Sequence, residues 1–266
     1  MVRSTIVAVL LGASTTFAAP TWPHPNWNFT ASNTDGRSAV SEYFNLLAEK
    51  INAAKHTTVA PVCDLSKAQI PTGATPSLPA PQEGLVLEHV AIGRGVQNYT
   101  CDPSKPDAAP TQIGALATLF NASCIASAYP DLLQAFPKLA LQFDLPLPAT
   151  SEDEMMGPTN LLVSGKHFFT NTTTPFFDLN TSRRHLGEAP CAKLDSSNAP
   201  SDAPKGPNGE AAVPWLRLGA ESDATGGLKE IYRVETAGGG APATCQGMPA
   251  AFEVQYAAQY WFFRSP

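Results

Sequence analysis

The run FEVQYAAQYWFF at residues 252–263 decides the fold class of this chain. Apolar side chains occupy every second position, at Phe252, Val254, Tyr256, Ala258, Tyr260 and Phe262. The positions between them carry Glu253, Gln255, Ala257 and Gln259, and only Trp261 and Phe263 interrupt this polar face. A period of two that is rich in aromatic residues is typical of a strand that packs one face against a core.

Strand-like runs recur along the chain before this segment. Three of them are bounded by Gly, Pro or Asn and cover residues 84–101, 111–124 and 213–220, and residues 228–235 alternate as a fourth. Segments of this length and spacing indicate a mainly β protein. The 25 prolines and the low charged fraction of 15% predict long Pro-rich loops and few surface helices.

Two segments have helical periodicity instead. Residues 37–55 place apolar side chains at helical spacing and predict an N-terminal helix, and residues 130–141 predict a second one that Pro137 breaks. Residues 71–84 are a Pro-rich connector. The polar, Pro-rich stretch 182–210 is predicted to be a long surface loop.

The segment IYRVETAGGGAPATC, residues 231–245, contains three consecutive glycines after a strand-like run. Such a loop binds a phosphate when a helix follows it, but Pro242 excludes an immediate helix here. The glycines are therefore predicted to form a turn or bulge. In the strand itself, strict alternation puts Arg233 and Glu235 on one face, as a pair or as lining of a cleft.

The N-terminus predicts export. Residues 1–18 combine Arg3, an apolar core and a small-residue exit, the layout of a cleavable signal peptide. The chain then divides into a segment with a helix at 19–83 and a β domain at 84–266. Five glycosylation sequons agree with export, at Asn28, Asn98, Asn121, Asn171 and Asn180.

Cysteine spacing points to the same compartment. The cysteines are Cys63, Cys101, Cys124, Cys191 and Cys245, and none of them forms a C-x-x-C pair. In an oxidising compartment this pattern predicts one or two disulfides with one thiol left over, in preference to a zinc site.

Several classes of protein are disfavoured. The net charge is −6 and no basic run is longer than Arg183–Arg184, which argues against nucleic acid and anionic membrane surfaces as partners. No other stretch has the roughly twenty apolar residues of a membrane span. The nucleotide fingerprint is incomplete, because Gly93 and Gly95 are followed by Asn98 where the third glycine belongs. No cofactor, no metal site and no NAD-dependent dehydrogenase activity are expected.

Four segments also carry a family resemblance: GRGVQNYTC (93–101), VPWLRL (213–218), KEIYRVETAGGGAPATC (229–245) and VQYAAQYWFF (254–263). In this order they resemble a family of secreted fungal and bacterial proteins known only as a domain of unknown function, some fungal members of which carry a malate dehydrogenase label. The resemblance implies a compact β-barrel or β-sandwich. It also implies a disulfide between Cys101 and Cys245, the two cysteines that fall on the family pattern.

Together these observations predict a secreted, glycosylated fungal protein without catalytic activity, at the cell wall or at a host interface. Its partner would be a wall polysaccharide or a host or surface protein. One alternative is a small-ligand or carbohydrate-binding module in which Trp215, Tyr260 and Trp261 are exposed and stack on sugars. The other is an extracellular hydrolase with dispersed carboxylates, for which Glu230 and Glu235 are the candidates.

Overall fold

A computed structural model describes residues 34–56 and 61–266 of the chain. The predicted signal peptide and the sequon at Asn28 lie outside the described residues. No helix in the described ranges is both long and apolar enough to cross a membrane.

Eight antiparallel strands form a closed barrel, in which each strand pairs with the next and the last pairs with the first. Their bounds are β1 Val86–Thr100, β2 Thr111–Asn121, β3 Val163–Phe169, β4 Pro175–Asn180, β5 His185–Ser197, β6 Trp215–Ala220, β7 Leu228–Gly238 and β8 Ala251–Arg264. The mainly β expectation is confirmed, and of the two architectures left open the structure has the barrel.

Three strands were missed by the periodicity. The predicted loop at 182–210 is wrong over its first half, because β5 occupies His185–Ser197. Pro190 argues against a strand because it cannot donate to a ladder, and four of the six side chains after Cys191 on β5 are exposed. The β5 residues that are buried in the barrel core, Ala189 and Cys191, are small, and Leu186 packs against this core while only partly buried. The segment therefore lacks the bulky alternation that marks β8.

The inside of the barrel is filled by the cluster that we call the barrel core. It includes Leu119, Phe177, Leu218, Ile231, Tyr256, Tyr260 and Phe262. Glycines of β1 make room for the large rings, since a Cβ added at Gly93 would collide with the Tyr260 ring. The closed sheet thereby buries one face of every strand.

The outside of β1, β7 and β8 is covered by a second cluster, the outer core. Its buried members include Ile92, Leu133, Phe136, Leu139, Ala257, Trp261 and Phe263. The covering elements are helices α1 (Thr34–Ala54), α2 (Ser123–Ala128) and α3 (Pro130–Ala140), with parts of the segment 65–87. Trp261 and Phe263 interrupt the polar face of β8 because this face is buried too.

Helix α3 continues through Pro137, so the predicted break is wrong. A proline leaves the carbonyl four residues before it without its usual donor. That carbonyl belongs to Leu133, and it accepts a hydrogen bond of 3.3 Å from Gln259 Nε2 on β8. The sheet therefore supplies the donor that the helix lacks.

Two disulfides link the loops to this frame. Cys101 and Cys245 form the bond that the family resemblance implied, with an S–S distance of 2.04 Å, and it joins the loop after β1 to the loop before β8. Cys63 pairs with Cys124 and fastens the segment before β1 to α2. Cys191 is the remaining thiol and is buried in the barrel core.

Candidate functional site

Strand β7 contains a bulge near its end. Val234 pairs with Gln259 and Ala237 pairs with Ala257, so β7 has one more residue than β8 between these two points. Glu235 lies in the bulge with a φ of 47°, the one positive φ among the non-glycine residues that the structure describes. Such backbone costs of order 1–3 kcal/mol and is concentrated at functional sites.

The bulge separates two residues that strict alternation put on one face. Arg233 is directed into the barrel, where it is opposite Tyr260 on β8 and 6% exposed. Glu235 instead is half-buried and lines an open groove on the outside. A bulge commonly redirects a side chain in this way.

We call this depression the bulge groove. One lobe of about 570 Å³ lies between α3, the bulge and the loop 200–204. A second lobe of about 450 Å³ lies between the segment 69–73, the start of α3 and the outer face of β8. Both lobes are lined by Gly73, Asp131, Gln134 and Glu235, so they meet at the bulge.

Two of the four carboxylates in the groove are held in ion pairs. Glu42 pairs with Lys138 at 3.7 Å, and Asp131 pairs with Lys50. Both pairs join α1 to α3, so they fasten one wall of the groove.

Asp202 and Glu235 line the same lobe and have no ion-pair partner in the described part of the chain. Burial raises the pKa of Glu235, and the negative charge of Asp202 raises it further. The Glu235 carboxyl therefore stays protonated to a higher pH than an exposed glutamate does.

The aromatic residues of the groove form its base. Trp215, Tyr260 and Trp261 are each 1% exposed, so the expectation of rings exposed for sugar stacking is wrong. Trp215 lines the first lobe and Trp261 the second, whereas Tyr260 lies inside the barrel. The Trp261 indole donates to Gln259 Oε1 at 3.0 Å. The Trp215 indole N–H is buried and has no acceptor among the described residues.

Arg233 belongs to a polar cluster within the barrel. One guanidinium nitrogen donates to the Pro214 carbonyl at 2.8 Å. The hydroxyls of Tyr256 and Tyr260 are 2.9 Å apart, and His167 stacks on Phe177. Burial, reinforced by the charge of Arg233, lowers the pKa of His167 to about 4. This cluster is enclosed and does not reach the groove.

Glu230, the other carboxylate proposed for hydrolysis, is fully engaged elsewhere. It accepts hydrogen bonds of 3.1 and 2.7 Å from Arg217 and one of 3.1 Å from the Tyr232 hydroxyl. Arg217 is also paired with Asp195 at 3.1 Å. Among the carboxylates that share the groove with Glu235, Asp202 has no ion-pair partner in the described part of the chain, and it lies in the stretch predicted from sequence as a surface loop.

The described sequons differ in their surroundings. Asn171 is exposed in the turn between β3 and β4, where its side-chain oxygen accepts from Thr173 and Thr174. Asn98, Asn121 and Asn180 are half-buried. The Oδ1 of Asn121 accepts from the Ser123 N–H and that of Asn180 from the Gly187 N–H. Asn171 is thus the position at which a glycan fits the folded chain with least disturbance.

The histidines are used within the fold. His89 is hydrogen-bonded to Ser164 and Ser123 at 3.0 Å each, and burial lowers its pKa to about 3. Within residues 34–56 and 61–266, no three His, Cys, Asp or Glu side chains are grouped so that they could hold a metal ion.

Comparison with protein families matches residues 79–264 to the family described as a protein of unknown function (DUF3455). The chain belongs to this family. The DUF3455 region includes all eight strands with α2 and α3, and it contains Asp131, Asp202 and Glu235. Glu42 and Gly73 lie before it, so one wall of the groove is built by residues outside the family region. Neither the curated proteins nor the solved structures gave a match.

Proposed function

We propose that this chain is an exported, glycosylated fungal protein that binds carbohydrate in the bulge groove without changing it chemically. One observation carries the proposal. Two carboxylates without ion-pair partners in the described part of the chain, Asp202 and Glu235, line one preformed lobe. Sugar hydroxyls donate hydrogen bonds, so they can satisfy these carboxylates.

The mode of binding differs from the one expected from the sequence. With Trp215 and Trp261 buried, recognition rests on hydrogen bonds to carboxylates and amides, and the indoles give the groove a rigid base. The positions of these groups are fixed by β7, β8 and α3. A preformed site reduces the entropy cost of ordering the protein on binding.

Export is supported by two disulfides, which persist in oxidising compartments, and by the exposed sequon at Asn171. An association with the cell wall or with a host surface follows as the place where such a binder meets polysaccharide. Mass spectrometry of medium, salt-washed wall and detergent extract tests this part, and recovery from the cytosol would contradict it.

Binding is tested by calorimetry with soluble tetrasaccharides of the β-linked glucose and glucosamine series. We expect a tetrasaccharide of at least one series to bind, and Glu235→Gln to weaken that binding about tenfold. Glu221→Gln is the matched control, because Glu221 is exposed beyond the opposite end of β7. Absence of binding in both series, or equal loss in the two variants, would refute a carbohydrate site here.

A second function, hydrolysis of a glycosidic bond, is favoured by one specific observation. Glu235 has a raised pKa and lines the same lobe as Asp202, and a carboxyl with a raised pKa near a second carboxyl is the arrangement of a general acid and its partner. Prolonged incubation of the bound tetrasaccharide distinguishes the two functions. Release of shorter sugars that Glu235→Gln abolishes would establish hydrolysis, and an intact tetrasaccharide leaves the groove as a binding site.

A further inference from the structure

Two half-buried phenylalanine rings lie on the outside of the β3–β4 hairpin. Phe168 is paired with Phe176 across the two strands, and their ring centroids are 5.1 Å apart with 34° between the planes. Among the described residues, neither ring belongs to the barrel core or to the outer core. The neighbours of Phe168 on β3 are directed inward, since His167 stacks on Phe177 and Phe169 packs against the barrel core. Side chains of a strand alternate between its faces, so the hairpin carries this aromatic pair on its solvent side.

The turn of the same hairpin contains the exposed sequon at Asn171. The Thr170 N–H donates to the Thr174 carbonyl at 3.1 Å, so the hydrogen-bonded ladder continues to the residue before Asn171. Thr170 shares the outer face with Phe168, two positions earlier, and about 7 Å separates the two along the strand. An asparagine side chain and one sugar ring together span this distance. The first sugar of a glycan at Asn171 can therefore reach the rings.

The Asn171 side chain is held in one direction. Its Oδ1 accepts from the Thr173 N–H at 2.8 Å and from the Thr174 N–H at 2.9 Å, and its Nδ2 donates to the Thr174 hydroxyl at 3.1 Å. An amide nitrogen has two hydrogens, so the second is the one that a sugar replaces. In that transfer the bond between the anomeric carbon and a diphosphate-activated donor breaks, the bond to Nδ2 forms, and the diphosphate takes the Nδ2 proton. A preorganised attachment point reduces the entropy cost of placing the sugar.

We propose that the Phe168–Phe176 pair binds the first sugar of a glycan at Asn171 and that this contact stabilises the folded chain. N-acetylglucosamine, the first sugar of N-linked glycans, presents C–H groups on the faces of its ring. Such a face is attracted to the negative face of an aromatic ring, and the contact removes apolar surface from water. The inference rests on the glycosylation in the proposed function and is independent of the bulge groove.

The test is a double-mutant cycle on protein from a host that exports and glycosylates it. Asn171→Asp removes the glycan but keeps a side-chain oxygen that can accept from the turn. The variant Phe168→Leu/Phe176→Leu keeps apolar side chains and removes the flat rings. We expect Asn171→Asp to lower the melting temperature by about 2–4 °C when the rings are present and by less than about 1 °C when they are replaced. The protons of the first sugar should also be shifted upfield in NMR spectra of the parent chain but not of the leucine variant.

Val86→Ala is the control background, because Val86 is an exposed apolar side chain at the opposite end of the barrel from the β3–β4 turn. The shift caused by Asn171→Asp should keep its full size there, and its loss would contradict a contact specific to the rings. Mass spectrometry of the exported protein gives the occupancy of Asn171. An unmodified Asn171 would refute glycosylation at this position and the inference with it. An occupied Asn171 with equal shifts in the parent and leucine backgrounds would overturn the ring contact alone.

Discussion

The two faces of β8 are both buried, but by different neighbours. The inner face, with Tyr256, Tyr260 and Phe262, meets the other strands of a closed barrel. The outer face, with Ala257, Trp261 and Phe263, meets helices and the segment before β1. A closed sheet leaves no gap at its centre, whereas helices that pass over a bulged strand leave a groove. The closed barrel is therefore the scaffold, and the outer layer forms the candidate site.

The titratable groups of the two regions respond to pH in opposite directions. Burial lowers the pKa values of His89 and His167 on the inner side and raises that of Glu235 in the groove. Acidification therefore destabilises the barrel through its histidines. The Glu235 carboxyl contributes stability below about pH 4.5 that is lost as the pH rises through its folded pKa.

The largest loss of stability is expected when an aromatic ring is removed from the barrel core. Phe262→Ala should lower the free energy of unfolding by about 3–5 kcal/mol, because Phe262 is fully buried among rigid strands that cannot collapse into the space. Urea denaturation measures the loss. Phe252→Ala is the control, since Phe252 is half-buried at the end of the same strand. Equal losses of unfolding free energy in the two variants would contradict the conclusion that the barrel core contributes more to stability than the end of the strand.

The outer region is loosened separately by removing the Cys63–Cys124 disulfide. The double variant C63S/C124S should cost about 2–4 kcal/mol of stability. Hydrogen exchange should accelerate in residues 61–85 and around α2, where the bond fastens the outer layer, with little change in β3 to β5. Uniform acceleration across the barrel would show that the two regions unfold as one unit.

The opposite pH responses can be separated by replacing the histidines. The folded-state pKa values of about 4 for His167 and about 3 for His89 lie below the ordinary value of 6.5. Their stabilising contribution is therefore present above pH 6.5 and is lost as the pH falls towards these values, at about 1.4 kcal/mol per pH unit for each histidine. In urea titrations from pH 7 to pH 4.5, His167→Gln should have a smaller acid loss than the parent chain. The same dependence of unfolding free energy on pH in both proteins would refute the lowered pKa of His167.

The smallest effect concerns the strained residue of the groove. Glu235→Gly should raise stability at pH 7 by about 1 kcal/mol, because glycine adopts a φ of 47° without strain and the poorly solvated carboxylate is removed. The same change should weaken tetrasaccharide binding. Glu221→Gly is the control, since Glu221 has no positive φ. A stability loss at Glu235 equal to that at Glu221 would contradict the strain argument.

Sequence periodicity predicted five of the eight strands. Residues 84–101, 111–124, 213–220, 228–235 and 252–263 correspond to β1, β2, β6, β7 and β8. Strand β5 was hidden because it contains Pro190 and because its residues buried in the barrel core, Ala189 and Cys191, are small. A strand whose buried face carries small side chains has weak hydrophobic alternation.

The candidate site was predicted in part. Strand alternation grouped Glu235 with Arg233, as a pair or as lining of a cleft, but the bulge that turns Glu235 outward depends on the pairing with β8. Asp202 was missed because it meets Glu235 only after the loop 200–204 folds over β7. Trp215 and Trp261 were expected at the surface because a single strand gives no sign that helices cover its second face.

The central claim is that the outer layer at the β7 bulge is the binding site. Hydrogen exchange with and without a saturating concentration of the tetrasaccharide that binds tests it most directly. The account predicts slower exchange in residues 69–73, 130–138, 200–204 and 234–236, which line the bulge groove, and unchanged exchange in β3 to β5. Slower exchange confined to other surfaces, or no change anywhere at saturating ligand, would contradict it.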